Sequence, residues 1–303
     1  MCGHRFSHGK YMLQQVFTII APVFLIAAIG FVWRQQRMPF DTAMITDLVL
    51  YIGAPCLMFS SLLINGPDLE DVIQIIGATL MTAAVVAASS ALLLKILRLP
   101  LSTFLPPMFV PNVGNMGLPL CLLAFGEEGL ALAVAYYAAS SVLQFTAGIS
   151  IASGKVSTDV IFRNPIIWAI TAAFALLYAD VELPKWIANT TEVLAGFVIP
   201  LMLMSLGASL AQLKVATFRR SLGLAMFRLI AGFVVGVGIA SALELEGPAR
   251  GVVIIQSAMP TAVFTYLFAA RAGTRPEEVG GIVVISTLLS FATLPLLLAF
   301  VLG

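Results

Sequence analysis

The polar side chains set within the apolar body of this sequence are amides, hydroxyls and one guanidinium, a set suited to holding a small solute without reacting with it. The candidate binding residues are Asn112, Asn115, Gln144, Gln256, Ser257, Thr261, Thr265 and Arg228. Asn112 and Asn115 can donate amide hydrogens to a carboxylate or cap a helix that starts beside them. Arg228 stands about eleven residues inside its apolar run, roughly 16 Å at the helical rise, where a charge needs a partner. Three roles are open to it: neutralising helix C-terminal carbonyls, pairing with a substrate anion, or snorkelling to an interface. Gln144, one turn after Ser140 and Ser141, is a further candidate, whereas Ser60 and Ser61 suit helix packing better.

The same inventory argues against catalysis. His4 and His8 both precede the first apolar run, and Cys2, Cys56 and Cys121 have neither a disulfide framework nor a metal-ligand spacing. Every acidic residue falls at a loop or near the end of a run, Asp47 included. An intramembrane enzyme would lack a base for its serines, so no catalytic residue, metal or cofactor is expected.

What makes the amides and hydroxyls notable is their company. In FVPNVGNMGLPLCLLAFG, the helix breakers Pro111, Gly114, Gly117 and Pro119 gather halfway along one apolar run. Proline removes a donor and clashes with the preceding turn, and each interior glycine weakens a helix by ~1 kcal/mol, so the stretch is expected to unwind. In IIQSAMPTAVFTYLF, Pro260 lies mid-run between Gln256/Ser257 and Thr261/Thr265. Unwound backbone in a bilayer must be satisfied by protein or by water in a cavity, so two breaks at matching places mark a central site. Half-helices beginning near Leu118 and Thr261 would converge there by their N-termini and attract an anion.

The elements that must position these residues are membrane spans. The 303 residues are 60% hydrophobic and 10% charged, against a charged share near ~25% in soluble domains. Mean hydropathy is +1.03. A net charge of +1 leaves no basic surface for nucleic acid. About ten runs reach membrane-spanning length, at roughly 13–33, 43–64, 72–94, 101–124, 130–152, 163–179, 187–210, 217–243, 249–270 and 279–302. This divides the chain into a polar N-terminal tail (1–12), a first five-helix repeat (13–152), a linker (153–164) and a second five-helix repeat (165–303). The first run is too long for the apolar region of a cleaved signal peptide, and Met12 is an equally plausible start.

Lys and Arg concentrate on one side of such a layout, at Arg34, Arg37, Lys95, Arg98, Lys155, Arg163, Lys214, Arg219, Arg220, Arg271 and Arg275. The other side carries the acidic clusters Asp68/Glu70/Asp71, Glu127/Glu128, Asp180/Glu182 and Glu244/Glu246. By the positive-inside rule the basic side is cytoplasmic and both termini lie outside a cell (inner) membrane. Five spans per half make the repeats inverted, and Pro55/Ser60 and Pro200/Ser205, each five residues apart, are a weak trace of that relation. The sequon at Asn189 has no role unless the host glycosylates it.

The segments PNVGNMGLPL, MPTAVFTYLFAARAG and IVVISTLLSFATLPLLL together resemble the auxin efflux carrier family, including its bacterial members, and the resemblance runs over nearly the whole chain. It implies scaffold and transport domains, broken helices four and nine crossing at mid-membrane, an elevator-like cycle and a homodimer in the lipid bilayer. It also implies organic-anion substrates: plant relatives export auxin, and bacterial relatives have been linked to dicarboxylates such as malonate and malate. By motif it carries Asn112, Asn115, Pro119, Pro260 and Thr261 to the site, with Gln144 from the fifth span. Many bacterial relatives place Asn soon after the second proline where this chain has Phe264, which argues against a second amide ligand and toward a more apolar substrate.

The expected fold is therefore all-α integral membrane, and the expected function is secondary transport of a small organic anion by alternating access. A sodium- or proton-coupled symporter of another solute and a non-transporting receptor are the alternatives. A cation/proton antiporter is disfavoured because no carboxylate lies at mid-depth.

Overall fold

In a bilayer every backbone donor and acceptor must be met within the chain, and for a sequence this apolar the helix is the local solution. The computed structural model describes residues 3–63, 67–155, 165–179 and 183–303. They form α1 (Gly3–Gln35), α2 (Thr42–Leu63), α3 (Leu69–Ile96), α4 (Leu101–Phe109) and α5 (Val113–Ser153), followed by α6 (Pro165–Tyr178), α7 (Lys185–Leu210), α8 (Phe218–Ala242), α9 (Gly247–Ser257), α10 (Phe264–Ala272) and α11 (Pro276–Leu302). Among the described residues, seven stretches are long and apolar enough to cross a membrane: α1 from Met12, α2, α3, α5, α7, α8 and α11. The chain is a helical, multi-pass membrane protein. Most of the expected linker, with Asp180 and Glu182, lies outside the described residues.

Local chemistry sets several boundaries. Asp41 accepts the amides of Ala43 and Met44 at 3.0 Å each and so starts α2. Gly126, at φ 68° and ψ −154°, adopts a backbone open to glycine and bends α5 beside Glu127 and Glu128 into two helices. The polar segment before Leu13 continues α1 back to Gly3.

The core is built around helices that are apolar on every face. Leu130–Ala138 of α5 and Val252–Ile255 of α9 are buried without interruption, the signature of helices enclosed by others. Around them, α1 and α7 approach backbone to backbone. A Cβ at Gly30 would sit 2.0 Å from the Met204 carbonyl oxygen, and one at Gly207 would sit 1.8 Å from that of Ala27. Small residues permit such contact where lipid leaves no hydrophobic drive between helices.

Two helical runs are interrupted deep inside the molecule. The first breaks at residues 110–112 between α4 and α5, the second at residues 258–263 between α9 and α10. The two extended pieces lie antiparallel and meet in the one bridge found among the described residues, Pro111 with Thr261. The Asn112 amide donates to the Pro260 carbonyl at 2.7 Å, and the Ala262 amide donates to that of Val110 at 3.1 Å. Backbone freed from each helix is thus satisfied by the other.

A solute pocket at the helix crossover

The unwound stretch is shorter than the breakers in the sequence suggest. Pro111 alone of the four lies in extended chain, and helix resumes at Val113 rather than near Leu118. Gly114, Gly117 and Pro119 belong to the resumed helix, whose first turn is widened: Asn112's carbonyl accepts from both Met116 and Gly117 at 3.3 Å. A widened turn accommodates Pro119, which has no N–H to give. Gly117 is required by packing, since a Cβ there would lie 1.9 Å from Gln256 Oε1. Asn112 precedes this helix yet makes no side-chain capping bond, so the capping role expected of it is not the one it fills.

Proline at 111 has a second consequence. The Pro107 carbonyl would ordinarily accept from residue 111, which has no donor, and the Thr261 hydroxyl takes that place at 2.9 Å. The Thr261 amide is in turn held by Ser286 Oγ at 3.1 Å. Thr261 is a tie between the two broken runs, and both of its donors are occupied.

A cavity of about 40 Å³ opens on one side of the crossover. The crossover contributes Pro111, Asn112, Val113, Gly114, Asn115, Ala262 and Phe264; Tyr137 and Gln144 come from α5, Met202 and Ser205 from α7, and Ile45, Thr46, Val49 and Leu50 from α2. The first turn of α5 and the start of α10 both border it, so two helix N-termini present partial positive charge to the same space. Asn112 is 4% exposed, and its Nδ2 has no hydrogen-bond partner among the described residues. An unpaired buried amide is a donor held ready for an acceptor.

Of the candidate binding residues, the pocket brings together Asn112, Asn115 and Gln144, beside the helix breakers Pro111 and Gly114. The others are elsewhere. Gln256 is fully buried against Gly117 and reaches the Ala133 carbonyl at 3.5 Å. Ser257 bonds back to Ile254 at 3.0 Å and Thr265 to Ala262 at 2.7 Å, leaving both hydroxyls spent on their own chain. Arg228 donates from Nη2 to the Ser257 carbonyl at 3.1 Å, at the C-terminal end of α9, and does not line this pocket. Ser205 and Thr46 line it and were not among the candidates. Thr42 and Thr46, one turn apart on α2, were the sequence signal available for the second.

The pocket adjoins a larger vestibule of about 650 Å³, which shares Thr46, Leu50 and Phe264 with it. The vestibule is bordered by Thr42, Asp47, Phe145, Ile149, Pro165, Phe268 and Arg271. Phe145 stacks edge-on with Phe264 and Phe268, at ring separations of 5.7 and 6.1 Å. Of these three rings, Phe264 alone borders both spaces.

This geometry can be set beside known proteins. A family model described as membrane transport protein matches residues 15–158 and 149–298, nearly the whole chain. The chain belongs to that family, the auxin efflux carriers. Among curated relatives, an uncharacterized transporter of Methanocaldococcus jannaschii is 28% identical over 165 residues, covering 51% of this chain and 53% of the relative. One of Methanothermobacter thermautotrophicus is 29% identical over 196 residues, covering 61% and 63%. The matched stretches thus span roughly half to three-fifths of these two carriers. The protein is thus a member of a membrane transport protein family, and the crossover pocket draws on both matched regions, since the first includes Asn112 and the second Ala262 and Phe264.

Proposed function

We propose that this carrier moves a small organic anion, a mono- or dicarboxylate, by alternating access around the crossover. The observation that carries the reading is Asn112 Nδ2, a buried donor without a partner, in a pocket bordered by two helix N-termini. Amide donors and positive helix ends without a fixed carboxylate select for negative charge in the solute. Asn115 and Gln144 add polar atoms on the same wall, and Phe264 with Tyr137 gives the solute apolar neighbours.

In this reading the protein has ten crossings arranged as two inverted five-helix repeats. It sits in the inner membrane with both termini outside and works as a homodimer. The vestibule opens toward the ends of α2, α5 and α10, beside the loops rich in Lys and Arg, which supports an inward-open form. A pocket of about 40 Å³ is far below the ~300 Å³ of an ordinary ligand site, so the solute enters only after Phe264 and its neighbours move. A carboxylate leaving a negative-inside cell gains ~2.3 kcal/mol per charge per 100 mV, enough to drive export without a coupling ion.

The test is uptake and counterflow of labelled mono- and dicarboxylates in proteoliposomes, with and without a pH gradient. Saturable flux is expected from the native chain. Asn112→Ala should reduce it by roughly tenfold or more while the unfolding temperature stays level or rises, because removing an unpaired buried amide relieves a desolvation cost. Absence of carboxylate flux from folded protein would overturn the assignment.

A further inference from the structure

Besides the vestibule, the solute pocket adjoins a third space, bordered by the start of α2 and the end of α7. It measures about 170 Å³ and shares Thr46, Asn115, Ser205 and Phe264 with the pocket. Hydroxyls line it in two pairs, Thr42 with Thr46 on α2 and Ser205 with Ser209 on α7, each pair one helical turn apart. Thr46 and Ser205 also border the solute pocket, whereas Thr42 and Ser209 do not, so the pairs form an inner and an outer rung leading away from it.

A hydroxyl in a membrane helix commonly returns its hydrogen to a carbonyl of the preceding turn, as Thr79, Thr146 and Thr287 do here. Among the described residues, none of the four hydroxyls along the third space makes a hydrogen bond, and neither does the Asn115 amide. They stand free to give and to accept. The rest of the lining is largely apolar and comes from the start of α10, with Phe264, Tyr266 and Leu267. No lining side chain is charged.

These properties select among organic anions. A second carboxylate lying here would meet no cation, which counts against a dicarboxylate that spans both spaces. An alkyl tail would take the free hydroxyls out of water and leave them unpaired. A polyol chain suits both linings: its hydroxyls exchange hydrogen bonds with Thr and Ser, and its C–H groups pack on Phe264 and Leu267. On a scale where one water takes ~10–15 Å³, the space has room for about a dozen heavy atoms. Resting on the organic-anion reading of the pocket, we infer that the carried solute is a sugar acid, a polyhydroxylated monocarboxylate. Its carboxylate meets Asn112 Nδ2, and its hydroxylated chain lies along the Thr42/Thr46 and Ser205/Ser209 pairs. Phe264, which from sequence points to a more apolar solute, supplies the surface for the C–H side of the chain.

The experiment is counterflow of labelled gluconate in proteoliposomes of the full chain, with unlabelled gluconate, hexanoate and adipate, all of one chain length, as competitors. Gluconate is expected to exchange saturably, and unlabelled gluconate should displace the label at roughly tenfold or more lower concentration than hexanoate or adipate. Ser209→Ala and Thr42→Val each remove one hydroxyl of the outer rung and should narrow the advantage of gluconate over hexanoate by roughly threefold to tenfold. An advantage unchanged in both variants would overturn the inference. So would a native protein that carries hexanoate or adipate as readily as gluconate, or carries them and not gluconate. In each of those outcomes the organic-anion reading stands. Absence of exchange with every carboxylate would instead overturn that reading, and the sugar-acid class with it.

Discussion

A carbonyl whose helical donor is a proline must find another, and at this crossover one threonine provides it. Replacing Thr261 by Val keeps the shape and strands the Pro107 oxygen, a loss of about 1–3 kcal/mol. Thr261→Val should therefore unfold at a lower temperature than the native chain, and Thr261→Ser should recover most of the difference. Equal unfolding of the Val and native proteins would mean that the carbonyl finds another donor. Thr261 also shows the limit of reading polar residues from sequence. Its type and place beside a mid-run proline were visible, but its partner lies 154 positions away, and nothing local says whether a hydroxyl faces a cavity or a carbonyl. Ser257 and Thr265, spent on their own helical turns, share that ambiguity. Asn112 differs because an amide carries two donor hydrogens, and here Nδ2 remains unpaired.

At the scale of elements, prolines mark where a helix must stop, and glycines mark where something comes close. Pro111 and Pro260 lie within the extended segments themselves, because a residue without N–H sits where backbone bonds pass to another strand of chain. Gly114 and Gly117 read as further weakening, yet they are helical and make room for the Tyr137 ring and the Gln256 amide. Composition does not separate these two uses of glycine. The same argument predicts unlike outcomes for two glycines that look alike in sequence. Gly207→Ala places a methyl 1.8 Å from a backbone oxygen of α1, and overpacking of that kind costs ~1–3 kcal/mol. Gly238→Ala meets no atom within 4 Å on α8 and should gain up to ~1 kcal/mol from helix propensity. Unfolding temperatures of the two variants should fall on opposite sides of the native value; matching shifts would contradict the α1–α7 contact.

At the scale of the whole molecule, hydropathy adds over about twenty residues, which is why membrane residence was legible while the number of crossings is harder to fix. A length criterion finds seven spans among the described residues because α4, α9 and α10 have 9, 11 and 9 residues, α6 has 14, and the two helices that meet at Gly126 form one stretch of 41. The ten-crossing reading divides α5 at Gly126, joins α4 and α9 to their continuations through the crossover, and counts α6 as a crossing of its own. That reading, together with the charge bias of the loops, places the vestibule on the cytoplasmic side and makes its accessibility directional. In a chain with Cys2, Cys56 and Cys121 replaced by Ser, Thr46→Cys puts a thiol where vestibule and solute pocket meet. A membrane-impermeant maleimide should label it in inside-out vesicles and leave it untouched in right-side-out ones. A transported carboxylate should slow the reaction several-fold, either by occupying the neighbouring pocket or by shifting the carrier to a form closed on that side. Labelling from the opposite face alone would invert the orientation, and the direction in which the membrane potential drives an anion through the vestibule would invert with it.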